Sequence, residues 1–459
     1  MKLTKHLAGF SAFALAATAS ANAATINITG ATAFRAATLT AIKAGYLAGN
    51  TSGASFQFAH DKAATGGTTY NGATRAIFIG NFAGVEGSTT IRCCFSGSVE
   101  GIRALVPVTD PLPPTYLPES ACTVAVSATG GETAYAKNYA VGAATATSHI
   151  AFSDVQAAIT PYASYAIQPA DATAGAIVFT MVANAGATFT NVTAQQWKAL
   201  LTKGYQPLSL FTGVATDVTK VYATGRNDGS GTRFSYLSEV GYGVANTVNQ
   251  YVTNTSTSGA LSQIQLVPKG GVNATPLTGQ SAGNASTVWG NDIDGNGGYS
   301  SGSALAGDMA KTSTAVQIMR ANGTPATASA NINLVTWLSL NDAVVARTTG
   351  LATGAVICGY NGVRLEDIAA HNTGTGASGA NPNNTIMSAA DKAKVTNGAY
   401  TAWNWEQMYY RDGITDTETL AVYDYIKAAL ALPANLATAG IAINDMIVGR
   451  ATDGGIVAP

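Results

Sequence analysis

Ten consecutive residues, Gly225 to Phe234, hold the densest chemistry in the chain. They combine Arg226, the carboxylate of Asp228, the hydroxyls of Ser230 and Thr232, and three glycines. Tyr236 and Leu237 follow at a spacing that suits the first turns of a helix. An arginine beside a glycine-rich turn that opens a helix is equipped to bind a compact oxyanion. The guanidinium offers a planar fork of donors. The glycines let backbone N–H groups come close. A helix start adds unpaired N–H groups and a partial positive charge. A plain glycine-rich turn with Ser230 as helix cap is the competing reading. A P-loop is excluded, because the lysine of its motif is missing.

Such a turn needs a scaffold that places it. Ala24–Thr29 alternates apolar and polar residues as a strand does. Gly30-Ala31-Thr32-Ala33-Phe34-Arg35 then turns into residues of helix-forming composition up to Tyr46. Strands are expected over 56–59, 76–82 and 90–95. Ser96–Leu105 again turns from strand to helix. A proline-rich stretch (110–118) and an Ala/Thr/Gly-rich stretch to residue 148 read as an insertion. His149–Asp154 resumes as a strand ending in Ser153-Asp154. The apolar run 175–183 reads as a buried strand. Thr193 with Gln196 predicts a capping box. Strands are expected at 218–224, 332–338 and 399–410, and helices over 234–256, 303–319 and 416–430. This alternation predicts an α/β fold of two lobes, each a mostly parallel sheet flanked by helices and joined by two crossover segments. In such sheets, ligands bind where strand C-termini meet helix N-termini.

Composition narrows the class. The 459 residues are too many for one ordinary core. Residues 1–23 carry the marks of a cleavable signal: Lys2 and Lys5, an apolar run, and Ala21-Asn22-Ala23. No cysteine follows, so no lipid anchor is expected. No later apolar run is long enough to span a bilayer. The expected location is periplasmic or secreted. The formal charge is −1, and −3 once Lys2 and Lys5 are set aside. That leaves no global field to gather nucleic acid, so none is expected as a partner. Only 11% of residues are charged, but 47% are hydrophobic, which argues against disorder. A bridge from Cys93 or Cys94 to Cys122 would close the insertion, while Cys358 suits a buried small hydrophobe. No metal site and no cofactor are expected. The three histidines beyond the signal are scattered, and Asp292-x-Asp-x-Asn-Gly lacks the acidic residue that completes a calcium loop. There is no GxSxG elbow and no HExxH motif, so no enzyme is expected.

Taken in order, these elements resemble a known family. Gly30-Ala-Thr-Ala-Phe34, Ser96-Gly-Ser98 with Gly101-Ile-Arg103, Phe152-Ser-Asp154 and Arg226-Asn-Asp-Gly-Ser-Gly-Thr232 resemble the substrate-binding component of phosphate ABC importers. Val335–Ala343 and Ala399–Tyr409 are similar to that family's late strand and return crossover. The resemblance implies a periplasmic-binding-protein fold of type 2. It divides the chain into residues 24–178 (first lobe, with an insertion at about 106–148), 179–398 (second lobe) and 399–459 (first lobe again). It implies phosphate-binding roles for Ser98, Asp154, Arg226, Ser230, Gly231 and Thr232. In the first turn it points to Thr32, Ala33 and Phe34, through the hydroxyl and backbone N–H groups. Asp228 would support, by orienting Arg226 or capping the helix. Two departures stand out. Arg35 occupies the place of the family's proline, and Ser98 lies 56 residues before Asp154, a wider gap than usual.

The expected ligand is inorganic phosphate or a similar tetrahedral oxyanion, and the expected partners are the membrane subunits of an ABC importer. The protein is expected to be a monomer. Phosphate keeps a proton at neutral pH, so an acceptor such as Asp154 can read it and reject sulfate. Plainer roles compete at single positions: a helix cap for Ser98, a strand-end turn for Asp154, a structural first turn. A surface or structural interaction protein on the same scaffold is the alternative function.

Overall fold

A computed structural model describes residues 24–50, 55–62, 72–108, 113–122, 125–127, 143–255, 260–267, 297–348, 354–365, 387–436 and 440–459. The signal stretch, the 372–384 loop and Asp292-Ile-Asp-Gly-Asn lie outside these residues, as do parts of the expected insertion. Among the described residues no helix is long and apolar enough to cross a membrane.

The strands used below are β1 (Ala24–Gly30), β2 (Ser55–His60), β3 (Arg75–Asn81), β4 (Ser88–Cys94), β5 (Ile150–Ser153), β6 (Thr173–Ala183) and β7 (Lys220–Ala223). They continue with β8 (Tyr251–Thr255), β9 (Leu261–Leu266), β10 (Gln317–Met319), β11 (Ile332–Ser339), β12 (Val356–Tyr360) and β13 (Trp403–Arg411). The helices are α1 (Arg35–Gly49), α2 (Ser98–Leu105), α3 (Ala194–Lys203), α4 (Gly231–Glu239), α5 (Gly302–Met309), α6 (Leu340–Thr348), α7 (Ala389–Thr396) and α8 (Thr417–Leu430).

One long mixed sheet runs through the molecule, with the path β7-β11-β6-β13-β5-β1-β4-β3-β2 at its centre. The strands that feed the predicted anion turns run parallel: β1 with β4, β1 with β5, and β7 with β11. The connecting and edge strands pair antiparallel. The expected α/β class holds, but the two sheets are continuous. The reason is β6. Its residues 173–178 pair with β13, and from Phe179 to Ala183 it pairs with β11. Every residue of β6 after Thr173 is buried, as its unbroken apolar run requires.

Local signals explain the elements around the site. α1 buries Leu39, Ile42 and Tyr46 against the sheet, and the Tyr46 hydroxyl donates to the carbonyls of Phe78 and Thr89. The predicted capping box of Thr193 and Gln196 is present at α3. The aromatic β13 begins in the core, where Trp403 is 1% exposed, and Tyr400 just before it is equally buried. Two expectations overreached. The helix expected over 234–256 ends at Glu239, where Gly241 and Gly243 take positive φ, and Tyr251–Thr255 is a strand. The helix expected over 303–319 ends at Met309, and Gln317–Met319 pairs with β9.

The expected disulfide is not formed: all four thiols are free and buried. Cys93 faces the main core, whereas Cys122 packs on the other side of the sheet with Ala59, Ile77 and Leu117. Cys94 shares that second side but sits by Arg75 and Thr115, while the Cys122 thiol donates to the Ile77 carbonyl. Burial pushes Cys122 and Cys358 up to about 12, so both stay thiols at neutral pH.

Candidate functional site

Three helix starts meet where the parallel strands end. Gly30 closes β1, and its carbonyl accepts from the Gly97 N–H at 2.9 Å, which sets α2 against the first turn. Gly97 adopts φ +128 and is the N-cap of α2, so Ser98 is the first helical residue and not the cap. α4 approaches from the other half of the sheet: the Glu100 N–H donates to the Gly229 carbonyl at 3.3 Å. Val99, Val155 and Phe234 form a small apolar cluster beneath this contact.

Asp154 stands at the centre. It is 1% exposed. Ser98 hydrogen-bonds its carboxylate, Thr232 Oγ1 donates to Oδ2 at 3.5 Å, and Oδ1 has no partner among the described residues. A Cβ on Gly231 would lie 1.5 Å from that Oδ1 and 2.6 Å from Ser98 Cβ, so only glycine lets the start of α4 come this close. Its main chain is fixed too: Ser235 Oγ and Asn404 Nδ2 donate to the Asp154 carbonyl. Ser230 is the N-cap of α4, and its hydroxyl, 1% exposed with its residue, has no partner among the described residues.

Arg226 is 2% exposed. Its Nε donates to the Tyr299 carbonyl and its Nη2 to the Ser300 carbonyl, both at 3.0 Å. Gln250 Nε2 and Arg233 Nη1 donate in turn to the Arg226 carbonyl. Tyr299 is held by its own hydroxyl, which donates to Asp308 Oδ2. Burial draws the Arg226 pKa down, while Asp342 and Asp154 pull it up. Asp342 lies at the start of α6, accepts from Ser339 Oγ at 3.0 Å and faces the start of α5 at Gly302. The first turn arrives with Arg35, whose charge is felt by both Asp342 and Arg226.

The structure therefore brings Ser98, Asp154, Arg226, Ser230, Gly231 and Thr232 together. Of the first turn, Ala33 and Phe34 are buried and Thr32 is half-buried. The Phe34 ring stacks on Phe152 and belongs to the core, so only its backbone can serve the site. Asp228 is exposed. Sequence reading missed Gln250, Tyr299, Asn404 and Glu406. Asp342 was visible only inside a longer stretch, and Arg35 only as a departure.

Helix capping marks the same place. α1, α2 and α4, which start at this cluster, have no side-chain cap. α3, α7 and α8, which start elsewhere, are capped by Thr193, Ser388 and Asp416. α5, which starts beside the Ser300 carbonyl that Arg226 holds, is capped by Ser301, and the one-turn helix Ser209–Thr212 elsewhere is uncapped. The N–H groups of an uncapped helix start need another acceptor, and their partial positive charge favours an anion.

Burial pushes Asp154 up from 3.8 to about 6, with Ser98, Arg226 and Thr232 holding it down. Burial likewise pushes Asp453 up to about 7. The sign follows from proton counts. Between about pH 4 and pH 7 the folded chain keeps protons that the unfolded chain has lost, so stability falls as pH rises. The Asp154 part is of order 3 kcal/mol, from about 1.4 kcal/mol per unit. The thermal midpoint of ligand-free protein is expected to be lower at pH 8 than at pH 5. Asp154→Asn should remove part of that fall; an equal fall in the variant would exclude Asp154 as its source.

No known family profile matches the chain, and no curated protein does. Solved structures do. A Clostridium perfringens protein with bound phosphate, classed among phosphate ABC transporter substrate-binding proteins, is 10% identical at a TM-score of 0.41, covering 91% of this chain and 99% of its own. An ABC-type phosphate transport receptor from Vibrio cholerae is 10% identical at 0.36, over 88% and 94%. PstS from Borrelia burgdorferi is 11% identical at 0.33, over 88% and 92%. All three TM-scores are below 0.5, so the functional reading rests on the geometry of the site itself.

Proposed function

We propose that this protein captures phosphate, or a similar tetrahedral oxyanion, between two lobes, as the exported binding component of an ABC-type importer. The observation that supports it best is the convergence of three uncapped helix starts on Asp154 and Arg226. Ser230 Oγ and Asp154 Oδ1 are buried there without protein partners among the described residues. The lobes are residues 24–178 with 399–459, and residues 179–398. The protein acts as a periplasmic or secreted monomer and binds without catalysing.

The donors are Arg226, Ser98, Ser230, Thr232 and the N–H groups at the starts of α1, α2 and α4. Charge-assisted bonds contribute roughly 1.5–3 kcal/mol each. Micromolar affinity needs about −8 kcal/mol, so a few such bonds suffice after ordering costs. Asp154, largely ionised above its value of about 6, accepts the proton that phosphate keeps. A fully ionised tetrahedral anion has no proton to give and meets repulsion instead.

Calorimetry on protein stripped of endogenous anion tests the reading. Phosphate and arsenate are expected to bind and sulfate to give no heat. Silence towards phosphate at millimolar concentration would overturn it. Asp154→Asn should weaken phosphate binding at least tenfold and narrow the phosphate-over-sulfate ratio, because an amide both donates and accepts.

A further inference from the structure

Behind the site lies a carboxyl that the reading above does not use. Glu406 is 0% exposed, and neither of its carboxyl oxygens has a hydrogen-bond partner among the described residues. It belongs to β13, where alternate residues share a face. Asn404, two positions earlier, donates from that face to the Asp154 carbonyl and to Ser235 Oγ. The next residue, Gln407, lies opposite Ser153, which precedes Asp154. On the β6 side, Glu406 faces Gly175, which brings no side chain. The nearest groups over that glycine are Ile441, Leu436 and the Phe34 ring. Glu406 thus lies buried in the layer beneath the Phe34 ring, close enough to Asp154 to feel its charge.

We propose that Glu406 is a second proton-bearing carboxyl of the anion site, which donates an O–H to the bound anion when protonated and repels it when ionised. The inference rests on the oxyanion reading and deepens it by tying capture to proton supply. Among the described residues no countercharge acts on Glu406. Asp154 faces it from the end of β5 and pushes its pKa further up, in addition to burial, which already holds it well above the usual carboxylate range. The phenol of Tyr409 feels the Glu406 charge. Arg450 is committed to Glu239 at 2.8 Å and to the Thr401 carbonyl. β6 carries no charged residue, and in α4 Ser235 accepts from Asn404 while the buried Arg233 donates to the Arg226 carbonyl. Two carboxyls around one anion titrate as a coupled pair. The lower one, Asp154, serves as the acceptor, and the higher one, Glu406, keeps its proton and serves as a donor. Above the pKa of Glu406, binding must take up one proton, so affinity falls about tenfold per pH unit.

The test is phosphate affinity from pH 5.5 to 9 in the wild type and in Glu406→Gln, with calorimetry in buffers of different ionisation heat to count protons. Gln keeps the shape and the donor but cannot ionise. The expected result is a fall in wild-type affinity on the alkaline side, with proton uptake, that Glu406→Gln flattens. A merely structural role would leave the pH profile and proton count the same in both, and that result overturns the proposal. Infrared spectroscopy of the ligand-free wild type gives a second measurement that needs no ligand. A protonated-carboxyl band at neutral pH, lost in Glu406→Gln, is expected, and an unchanged spectrum also overturns it. A wild type silent towards phosphate at every pH overturns the oxyanion reading itself, and this proposal with it. Binding with an unchanged profile overturns only the role of Glu406.

Discussion

Arg226→Ala is expected to lower phosphate affinity by at least 100-fold. Arg226 is 2% exposed and lends two N–H groups to the carbonyls of Tyr299 and Ser300. A guanidinium has five N–H donors in a rigid fork, and the other three have no partner among the described residues. Truncation removes the buried positive charge that Asp154 and Asp342 both feel. Leaving a buried charge without its counterpart costs about 3–5 kcal/mol, and 1.4 kcal/mol is a factor of ten in affinity. Part of that cost falls on folding, so a second variant separates the two. Arg226→Lys keeps the charge but loses the fork. It should fold with a thermal midpoint near wild type and still bind at least tenfold more weakly by calorimetry. Wild-type affinity in Arg226→Lys would show that Arg226 acts only as a bulk charge. Wild-type affinity in Arg226→Ala would remove it from the site.

Gly231→Ala is expected to abolish binding through one methyl group. A Cβ at this position lands 1.5 Å from Asp154 Oδ1 and 2.6 Å from Ser98 Cβ, so α4 must back away from β5 and α2. Alanine is a better helix former than glycine, so the helix itself does not suffer. The damage is confined to the approach of the two halves. Expected readings are a loss of more than 100-fold in phosphate affinity and an intact helical signal in circular dichroism. Gly307→Ala is the control. It lies within α5 with open space where its Cβ would go, and should bind as wild type does. Affinity within threefold of wild type in Gly231→Ala would mean that α4 and Asp154 do not meet in the bound state.

What could be read in the sequence depended on how far apart in the chain the partners lie. Arg226, Ser230, Gly231 and Thr232 are nearly contiguous, and their types state their chemistry without a fold. Ser98 and Asp154 were joined to that site only through the family resemblance, although each stands at the end of a strand-to-turn pattern. The plain reading of Ser98 as a cap fails in the structure, because Gly97 takes that place. Glu406 and Asn404 were hidden by their setting. They alternate with Trp403 and Trp405 in an aromatic strand, which reads as core, and Asn404 meets Asp154 across 250 residues. Tyr299 and Gln250 were hidden for the same reason: they hold Arg226 from 73 and 24 residues away. The helices expected past Glu239 and Met309 failed because composition alone carried them, against the positive φ at Gly241, Gly243 and Ala315. The parallel strands at the site followed from the β-turn-α rhythm, but the antiparallel edges gave no comparable signal.

The change of partner along β6 has a consequence for how this chain can be divided. The strand belongs to both halves of the sheet: up to Val178 it completes one, and from Phe179 it completes the other, with the Phe179 N–H still bonded to the Ala402 carbonyl at 2.8 Å. Cutting the gene between the halves would leave each fragment with a raw edge of unpaired N–H and C=O groups, a template for aggregation. The molecule is therefore not two modules on a flexible tether. Its two halves share one continuous hydrogen-bonded sheet.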